Sequence, residues 1–174
     1  MKRILVGGST GAGKTTMARL LAERLSLTHI EVDGLFHGPG WVPREQFVED
    51  VDAATSGTGW VVDHDYAAAR HLVWPRIDTF VWLDYSRIVC EWRAIRRSVP
   101  RAMLRRELWN GNRERFFAMF TDPEHPVQWC WRHHARKRAG FETRIAEPGN
   151  AHVTVVRLRR PREARAWLDS FPSP

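Results

Sequence analysis

A glycine-rich segment near the start of the chain has the residue types and spacing that bind a polyphosphate. Residues 8–15 fit the pattern G-x-x-x-x-G-K-[ST] between a predicted strand and a predicted helix, a context that disfavours a chance glycine-rich turn. Glycines let successive N–H groups point at one anion, and the following helix presents its N-terminus to the same anion. Lys14 would place its charge at the β- and γ-phosphates, and the Thr15 hydroxyl would bind Mg²⁺. The predicted nucleotide-binding residues are Gly8, Ser9, Thr10, Gly11, Ala12, Gly13, Lys14, Thr15 and Thr16.

Three aspartates follow predicted strands, at the sheet edge where open α/β folds bind ligands: Asp33, Asp63 and Asp84. A carboxylate at Asp33 could accept a proton from a hydroxyl group, or it could cap the turn through Gly34. Asp63 is either a functional carboxylate or the N-cap of the next segment, and the functional role is favoured because buried strand ends rarely carry an unpaired charge. Asp84 is interpreted as more structural, because Ser86 is an alternative helix cap nearby.

These residues need a parallel sheet to bring them together, and the hydrophobic pattern predicts one. Strands are predicted at 3–7, 28–32, 60–62, 79–83 and 153–156. Helices are predicted at 14–25, 43–54, 86–98, 126–138 and 161–170, with shorter pieces near 102–109 and 113–120. In the helix over 86–98, Ile88, Trp92 and Ile95 are expected to face inward. Strands that alternate with helices predict a three-layer α/β fold with five parallel strands, covered on both faces, in a single domain.

The basic charge is concentrated in one region of the 174-residue chain. The formal net charge is +7, and residues 91–140 alone hold twelve basic and five acidic side chains, almost all of the basic ones arginine. Arginine binds phosphate oxygens through two parallel hydrogen bonds, although such a cluster can also be a solvated face. The charge therefore suits an anionic partner, either nucleotide phosphates or a nucleic acid.

Composition and the missing motifs exclude several classes of protein. Apolar runs are too short to cross a bilayer, and the amino end lacks a secretory apolar region. Two isolated cysteines, Cys90 and Cys130, are then expected to be reduced thiols in a cytoplasmic protein, either a monomer or a homodimer. Their neighbours His125, His133 and His134 lack zinc-ligand spacing. No guanine-specifying Asn-Lys-x-Asp occurs, and no apolar strand ends in the Asp-Glu pair that hydrolytic ATPases use, so phosphate transfer to another molecule is favoured over hydrolysis.

Several motifs resemble the small P-loop kinases related to adenylate kinase, in particular the group of DNA topology modulation proteins. Besides the phosphate loop, the similar segments are Val32 to Trp41, Trp60 to Tyr66, Phe80 to Asp84 with the arginines that follow, and Glu107 to Glu114. The sequence departs from that group at His64-Asp65, where the group has Gly-Asn.

The resemblance implies roles for further residues. It implies that Asp63 holds a water on Mg²⁺, that a lid spans about 99–127, and that the loop at 159–161 borders adenine. It also implies phosphate-clamping arginines, whose candidates are Arg93, Arg97, Arg132 and Arg136. Trp41, in the expected acceptor loop, is the tryptophan with the best case for stacking on a substrate.

Two functions from different classes stay open on the sequence alone. The favoured one is a kinase that moves the γ-phosphate of Mg-ATP to a small acceptor, in the first place a nucleotide or nucleoside, with Lys14 and Asp33 at its centre. The alternative is a nucleotide-binding regulator that contacts DNA through the arginine-rich region, although charge alone discriminates poorly because any basic protein binds DNA nonspecifically.

Overall fold

The computed structural model describes residues 1–103, 122 and 125–172. The strands are β1 (Arg3–Gly8), β2 (Thr28–Ile30), β3 (Trp60–Val62), β4 (Thr79–Leu83) and β5 (Thr154–Leu158). The α-helices are α1 (Lys14–Leu25), α2 (Val32–Phe36), α3 (Phe47–Ala54), α4 (Arg70–Val73), α5 (Arg87–Met103), α6 (Pro126–Ala146) and α7 (Pro161–Asp169). Short 3-10 turns lie at Pro39–Trp41, Ala67–Ala69 and Pro148–Asn150.

The strands form one parallel sheet in the order β2-β3-β1-β4-β5, as the alternating pattern predicts. Strand β1 is central and lies between β3 and β4, and all of these strands are parallel. The segments that follow β1 and β3 therefore emerge side by side at the carboxyl edge, which is where a doubly wound sheet opens a crevice.

Alternate residues of the strands point to opposite faces, and each face is covered by helices. On one face, Ile4 and Val6 pack with Leu21 of α1 and Leu168 of α7. On the other face, Leu5 belongs to a cluster rich in aromatic rings and covered by α3, α4 and part of α6. Its fully buried large side chains are Trp60, Phe80, Trp82 and Phe141. The predicted three-layer arrangement is confirmed.

The structure corrects the expected positions of two elements near the acceptor loop. Strand β2 ends at Ile30, so Asp33 does not end a strand but lies in the first turn of α2. The chain leaves the sheet here because the Val32 N–H donates to the Asp63 carboxylate rather than to a neighbouring strand. The helix predicted from Pro43 begins only at Phe47, because a β-bridge between His37 and Pro43 closes the loop before it.

The prediction that Ile88 and Trp92 face inward is wrong, since their side chains are 80% and 60% exposed. The buried face of α5 consists instead of the small residues Cys90, Ala94 and Ser98. Small side chains allow α5 to approach the phosphate loop closely, and a Cβ at Gly11 would collide with the Cys90 carbonyl. The buried face of α5 is thus determined by its packing against the phosphate loop and not by the positions of its large apolar residues.

The predicted lid over 99–127, and the helical pieces near 102–109 and 113–120, fall mainly on residues outside those described. Over the described ranges, no helix has both the length and the apolar character needed to cross a membrane.

Candidate active site

The phosphate loop joins β1 to α1 in the middle of the sheet. Gly11 and Gly13 have φ values of 83° and 91°, a conformation that side-chain-bearing residues rarely adopt. Gly13 is the N-cap of α1, and a glycine has no side-chain oxygen that could occupy the first-turn N–H groups. The Lys14 ammonium folds back over the loop and donates to the Ser9 carbonyl, 3.3 Å away. The loop therefore has the shape of an anion-binding turn.

Burial lowers the pKa of Lys14, and the nearby carboxylates of Asp33 and Asp63 counter that effect. Lys14, Asp33 and Asp63, which were each singled out from the sequence, thus lie close enough to interact electrostatically. Asp63 is at least 30 positions from each of the other two in the sequence. Both carboxylates therefore lie near the ammonium group of the phosphate-loop lysine.

Asp63 directly follows β3 and is 1% exposed. Its Oδ1 accepts the Val32 N–H at 3.1 Å, and its Oδ2 lies 3.7 Å from His29 Nε2. Burial by itself would raise the pKa of Asp63, but interactions with the His29 and Thr15 side chains and with the Val32 N–H bring it below its ordinary value. Asp63 is therefore an ionised carboxylate held close to the Thr15 hydroxyl.

Asp33, the second carboxylate that acts on Lys14, lies in α2. Its Oδ1 accepts a hydrogen bond of 2.7 Å from the Tyr66 hydroxyl. Burial, reinforced by the Asp33 charge, raises the pKa of Tyr66, so the phenol stays protonated and remains the donor. The Tyr66 ring stacks on Phe36 at 4.3 Å between centroids. One carboxylate is thus positioned by a rigid aromatic neighbour.

Trp41 lies in the 3-10 turn that follows α2. It is 39% exposed and has a φ of 63°, an uncommon conformation for a bulky residue. Its ring meets that of His37 edge-on at 5.2 Å.

Two of the four predicted clamp arginines lie at the phosphate loop. The Arg93 guanidinium donates to the Ala12 carbonyl at 3.2 Å and lies over the Tyr85 ring. Arg97, one turn further along α5, is close enough to Lys14 to lower its pKa. Both positions suit contact with a bound phosphate chain.

The other two, Arg132 and Arg136, have exposed side chains on α6. At roughly 100° per residue, they lie about 140° and 100° around the helix from Lys137, whose pKa is affected by the charges of Lys14 and Asp33. Their clamp role stays a prediction.

Asp84, at the end of β4, is buried and serves as an ion-pair centre. Its carboxylate pairs with Arg157 at 2.7 Å and with Arg138 at 3.3 Å. This arrangement ties β5 and α6 to β4, in keeping with the structural role expected for Asp84.

Comparisons with known proteins agree on the fold. No protein-family model matches the chain. Over 51 residues it is 37% identical to the bifunctional pantoate ligase/cytidylate kinase of Parasynechococcus marenigrum (strain WH8102), a stretch that is 29% of this chain and 10% of that protein. The chain thus spans about a tenth of the length of that relative.

Three solved structures resemble the chain over almost its whole length. Shikimate kinase from Acinetobacter baumannii in complex with shikimate has a TM-score of 0.60 at 16% identity, covering 98% of this chain and 90% of that one. A gluconokinase from Sinorhizobium meliloti 1021 has a TM-score of 0.52 at 19% identity, covering 97% and 92%. Deoxyadenosine kinase from M. mycoides with bound dCTP has a TM-score of 0.50 at 13% identity, covering 96% and 97%. This chain has the fold of the P-loop kinases.

Within that P-loop kinase fold, an ion-pair cluster that was not expected from the sequence lies after β3. The buried Asp65 carboxylate accepts from Arg70 Nε at 3.0 Å, from Trp74 Nε1 at 3.0 Å and from Arg144 Nη1 at 2.9 Å. His64 lies beside it, and burial holds the pKa of that imidazole well below its ordinary value. The departure from Gly-Asn to His64-Asp65 was the available signal, and it marks a site that links the β3 loop to α6.

Lys137 of α6 was also missed. Burial lowers its pKa to about 7, and the charges acting on it include those of Lys14, Asp65 and Asp33. The sequence could have indicated Lys137 through the rarity of lysine, because the chain holds only three lysines and many arginines. The lysines are Lys2, Lys14 and Lys137. A lysine loses its proton far more readily than an arginine when it is buried.

Proposed function

We propose that this protein is a kinase that transfers the γ-phosphate of Mg-ATP to a hydroxyl group of a small acceptor, with nucleotides and nucleosides as the first acceptors to test. The observation that carries the proposal is the convergence of Asp33 and Asp63 on Lys14 of the phosphate loop. A phosphate-binding lysine, one carboxylate for Mg²⁺ and another for the acceptor hydroxyl are what phosphoryl transfer to an alcohol requires.

The arrangement gives each carboxylate a separate task. The acceptor hydroxyl oxygen would attack the γ-phosphorus, the bond from that phosphorus to the bridging oxygen of ADP would break, and the hydroxyl proton would pass to Asp33. Tyr66 holds the Asp33 carboxylate in place through one oxygen, which leaves the other for the proton. Lys14, with Arg93 and Arg97, would bind the phosphate oxygens.

The residues present fit a magnesium ion. Asp63 Oδ2 is buried and has no hydrogen-bond partner within the described part of the chain, and the Thr15 side chain interacts with the same carboxylate. A hydroxyl and an ionised carboxylate are hard oxygen donors of the kind that Mg²⁺ binds directly or through water. When bound, the ion would neutralise charge on the phosphates; Thr15 and Asp63 would hold it.

Two of the similar proteins carry the names of nucleotide or nucleoside kinases, the cytidylate kinase portion of the bifunctional protein and deoxyadenosine kinase. The aromatic residues near Asp33 also suit a planar acceptor, since Phe36 and Trp41 follow β2, and Tyr66 from the loop after β3 stacks on Phe36. Both points support a nucleotide or nucleoside as the acceptor class, in an enzyme of adenylate-kinase type.

The decisive experiment is a coupled assay of ADP release with Mg-ATP over a panel of nucleotides, nucleosides and other small alcohols. We expect turnover only with the right acceptor. Lys14→Ala is expected to lower that turnover by at least about 10²-fold, because the charge at the transferring phosphate is lost. Lys2→Ala is the matched control, because Lys2 is exposed and lies just before β1, and this variant is expected to match the wild type.

Two results would contradict the proposal. One is ADP release at background with every acceptor by protein that is folded by circular dichroism. The other is full activity in the Lys14→Ala variant.

A further inference from the structure

Three residues of α6 lie on one face of the helix at equal spacing: Cys130, Lys137 and Arg144. Each is seven residues, or about two turns, from the next, which corresponds to roughly 10 Å along the axis. Cys130 touches the phosphate loop, with its Sγ 3.8 Å from Ser9 Oγ. Arg144 binds Asp65 in the loop after β3. Lys137 therefore lies midway between the phosphate loop and the acceptor side of the site.

The surroundings of Lys137 contain positive groups, and the carboxylates near it are already bound by other residues. The described groups that act on it, or on which it acts, come from four other elements: Lys14, Asp33, His64, Asp65 and Arg70. The two carboxylates are already engaged, because Asp65 is bound by Arg70 and Arg144 and Asp33 accepts from Tyr66. Two lysines thus lie close enough to repel one another in a partly buried site, an arrangement that becomes favourable when an anion binds near both of them.

We propose that Lys137 is a second phosphate-binding lysine, which contacts the oxygens of the γ-phosphoryl group from the side opposite Lys14. This inference rests on the proposed kinase function and adds to it a catalytic residue on α6. The α6 cation at the site is then Lys137 itself, and not the exposed Arg132 or Arg136.

The assignment has a consequence for protonation. Burial lowers the pKa of Lys137 to about 7, so near neutral pH the free protein holds this side chain only partly charged. A bound γ-phosphate favours the ammonium form and raises the pKa again. Binding of ATP above pH 7 is therefore accompanied by proton uptake at Lys137, and transfer falls as pH rises through the pKa of this residue.

The small number of lysines allows a direct test by NMR. Protein labelled with ¹³C and ¹⁵N in lysine gives three side-chain signals, which the single Lys→Arg variants assign. The titration of each is followed without nucleotide, with Mg-ADP, and with Mg²⁺ and a non-hydrolysable ATP analogue. We expect the midpoint of Lys137 to move to higher pH with the ATP analogue and much less with ADP, and that of the exposed Lys2 to stay unchanged.

The outcomes separate this inference from the function on which it rests. A response of Lys14 without one of Lys137 overturns the role of Lys137 and leaves the nucleotide site in place. An equal response of Lys137 to ADP and to the ATP analogue overturns the contact with the γ-phosphoryl group. If neither Lys14 nor Lys137 responds at saturating nucleotide, the proposed function is overturned as well.

Kinetics with variants provide the second readout. Lys137→Met is expected to lower kcat by about 10²-fold or more while ATP affinity changes less than tenfold, because the contact forms mainly at the transferred group. Lys137→Arg is expected to keep part of the activity and to lose the decline of kcat/KM above neutral pH, since arginine stays charged. Lys2→Met is the control. Wild-type kcat in Lys137→Met, or a large loss in Arg136→Met alone, would overturn the assignment.

Discussion

At the scale of single residues, the site depends on charged side chains that are buried close to one another. Lys14, Asp33 and Asp63 lie in three different segments, yet each alters the electrostatic surroundings of the others. Asp63 is held ionised by specific neighbours, and Asp33 is oriented by one phenolic hydrogen bond. In the proposed reaction, Lys14 would stabilise the triphosphate directly and Asp63 would do so through Mg²⁺, both without rearrangement at the moment of reaction.

The role of Asp33 as proton acceptor leads to a prediction with a clear control. Asp33→Asn should lower kcat by about 10²–10⁴-fold, because the amide cannot take up the hydroxyl proton. ATP affinity and the unfolding midpoint should change little, since the amide oxygen can still accept from Tyr66. The measurement is steady-state kinetics beside nucleotide titration, with the exposed Glu31→Gln as control. An equal loss in both variants would point away from proton transfer.

At the scale of elements, the phosphate loop has its shape because α5 packs directly against it. Gly11 has a φ of 83°, and a Cβ there would collide with the Cys90 carbonyl of α5. The pairing of loop and helix also places Arg93 beside the Ala12 carbonyl. The shape of the loop and the position of the arginine are thus two consequences of one contact.

Gly11→Ala should therefore disturb both stability and nucleotide binding. We expect a decrease of about 2–4 kcal/mol in the free energy of unfolding, from backbone strain and the collision together. ATP affinity should fall in parallel. Gly57→Ala is the matched control, because a Cβ at Gly57 meets no atom within 4 Å. Urea denaturation and nucleotide titration of both variants measure the difference; equal stability of the two would contradict this account of the loop.

The ion-pair cluster around Asp65 positions α6, as the contact with the phosphate loop positions α5. Asp65 receives hydrogen bonds from Arg70, Trp74 and Arg144, and thereby joins the loop after β3 to the helix that carries Lys137. The Asp65 side chain is 3% exposed, so its charge is shielded from water.

Asp65→Ala is expected to reduce the free energy of unfolding by about 3–5 kcal/mol, because it leaves two guanidinium groups without their buried partner. Asp169→Ala removes a comparable ion pair with Arg24 at the surface, where the Asp169 side chain is 57% exposed, and should cost less than about 1 kcal/mol. Chemical denaturation of the two variants at one pH makes the comparison. A cost for Asp65→Ala as small as that for Asp169→Ala would show that the cluster does not hold α6.

At the scale of the whole molecule, function and stability oppose each other at Lys137. A lysine whose folded pKa is about 7 and whose unfolded pKa is about 10.4 binds more protons in the unfolded chain between these values. Its contribution therefore makes folding less favourable at and below neutral pH, and this penalty fades as pH rises toward 10. Stability sacrificed at a functional site is common in enzymes.

Lys137→Met should accordingly give a protein that is much less active but more stable. We expect the free energy of unfolding to rise by about 1–3 kcal/mol at pH 6.5, with a much smaller gain at pH 10. Urea denaturation at both pH values, beside Lys2→Met, provides the measurement. A variant that is less stable than the wild type by the same amount at both pH values would show that Lys137 is held by packing and carries no charge penalty.

Most of the fold could be predicted from the sequence, because its signals are local. Short apolar strands alternating with amphipathic helices require a parallel sheet with two covered faces, and the phosphate-loop pattern with its flanking elements fixes where β1 ends and α1 begins. Lys14, Thr15 and Asp63 could be named as candidates for the same reason, since each follows or opens an element that the pattern already defines. Asp33 was also a candidate, although β2 ends three residues before it and Asp33 lies in α2.

Only the tertiary structure decided which charges of α5 and α6 meet the site. A helix shows its neighbours one face, and that face depends on what packs against it, so the small residues Cys90 and Ala94 turned inward while Ile88 remained in solvent. On α6, contacts at Ser9 and Asp65 rotate Lys137 toward the phosphate loop and leave Arg136 exposed. A difference of one residue is roughly 100° around a helix, which a list of basic residues in a sequence does not reveal.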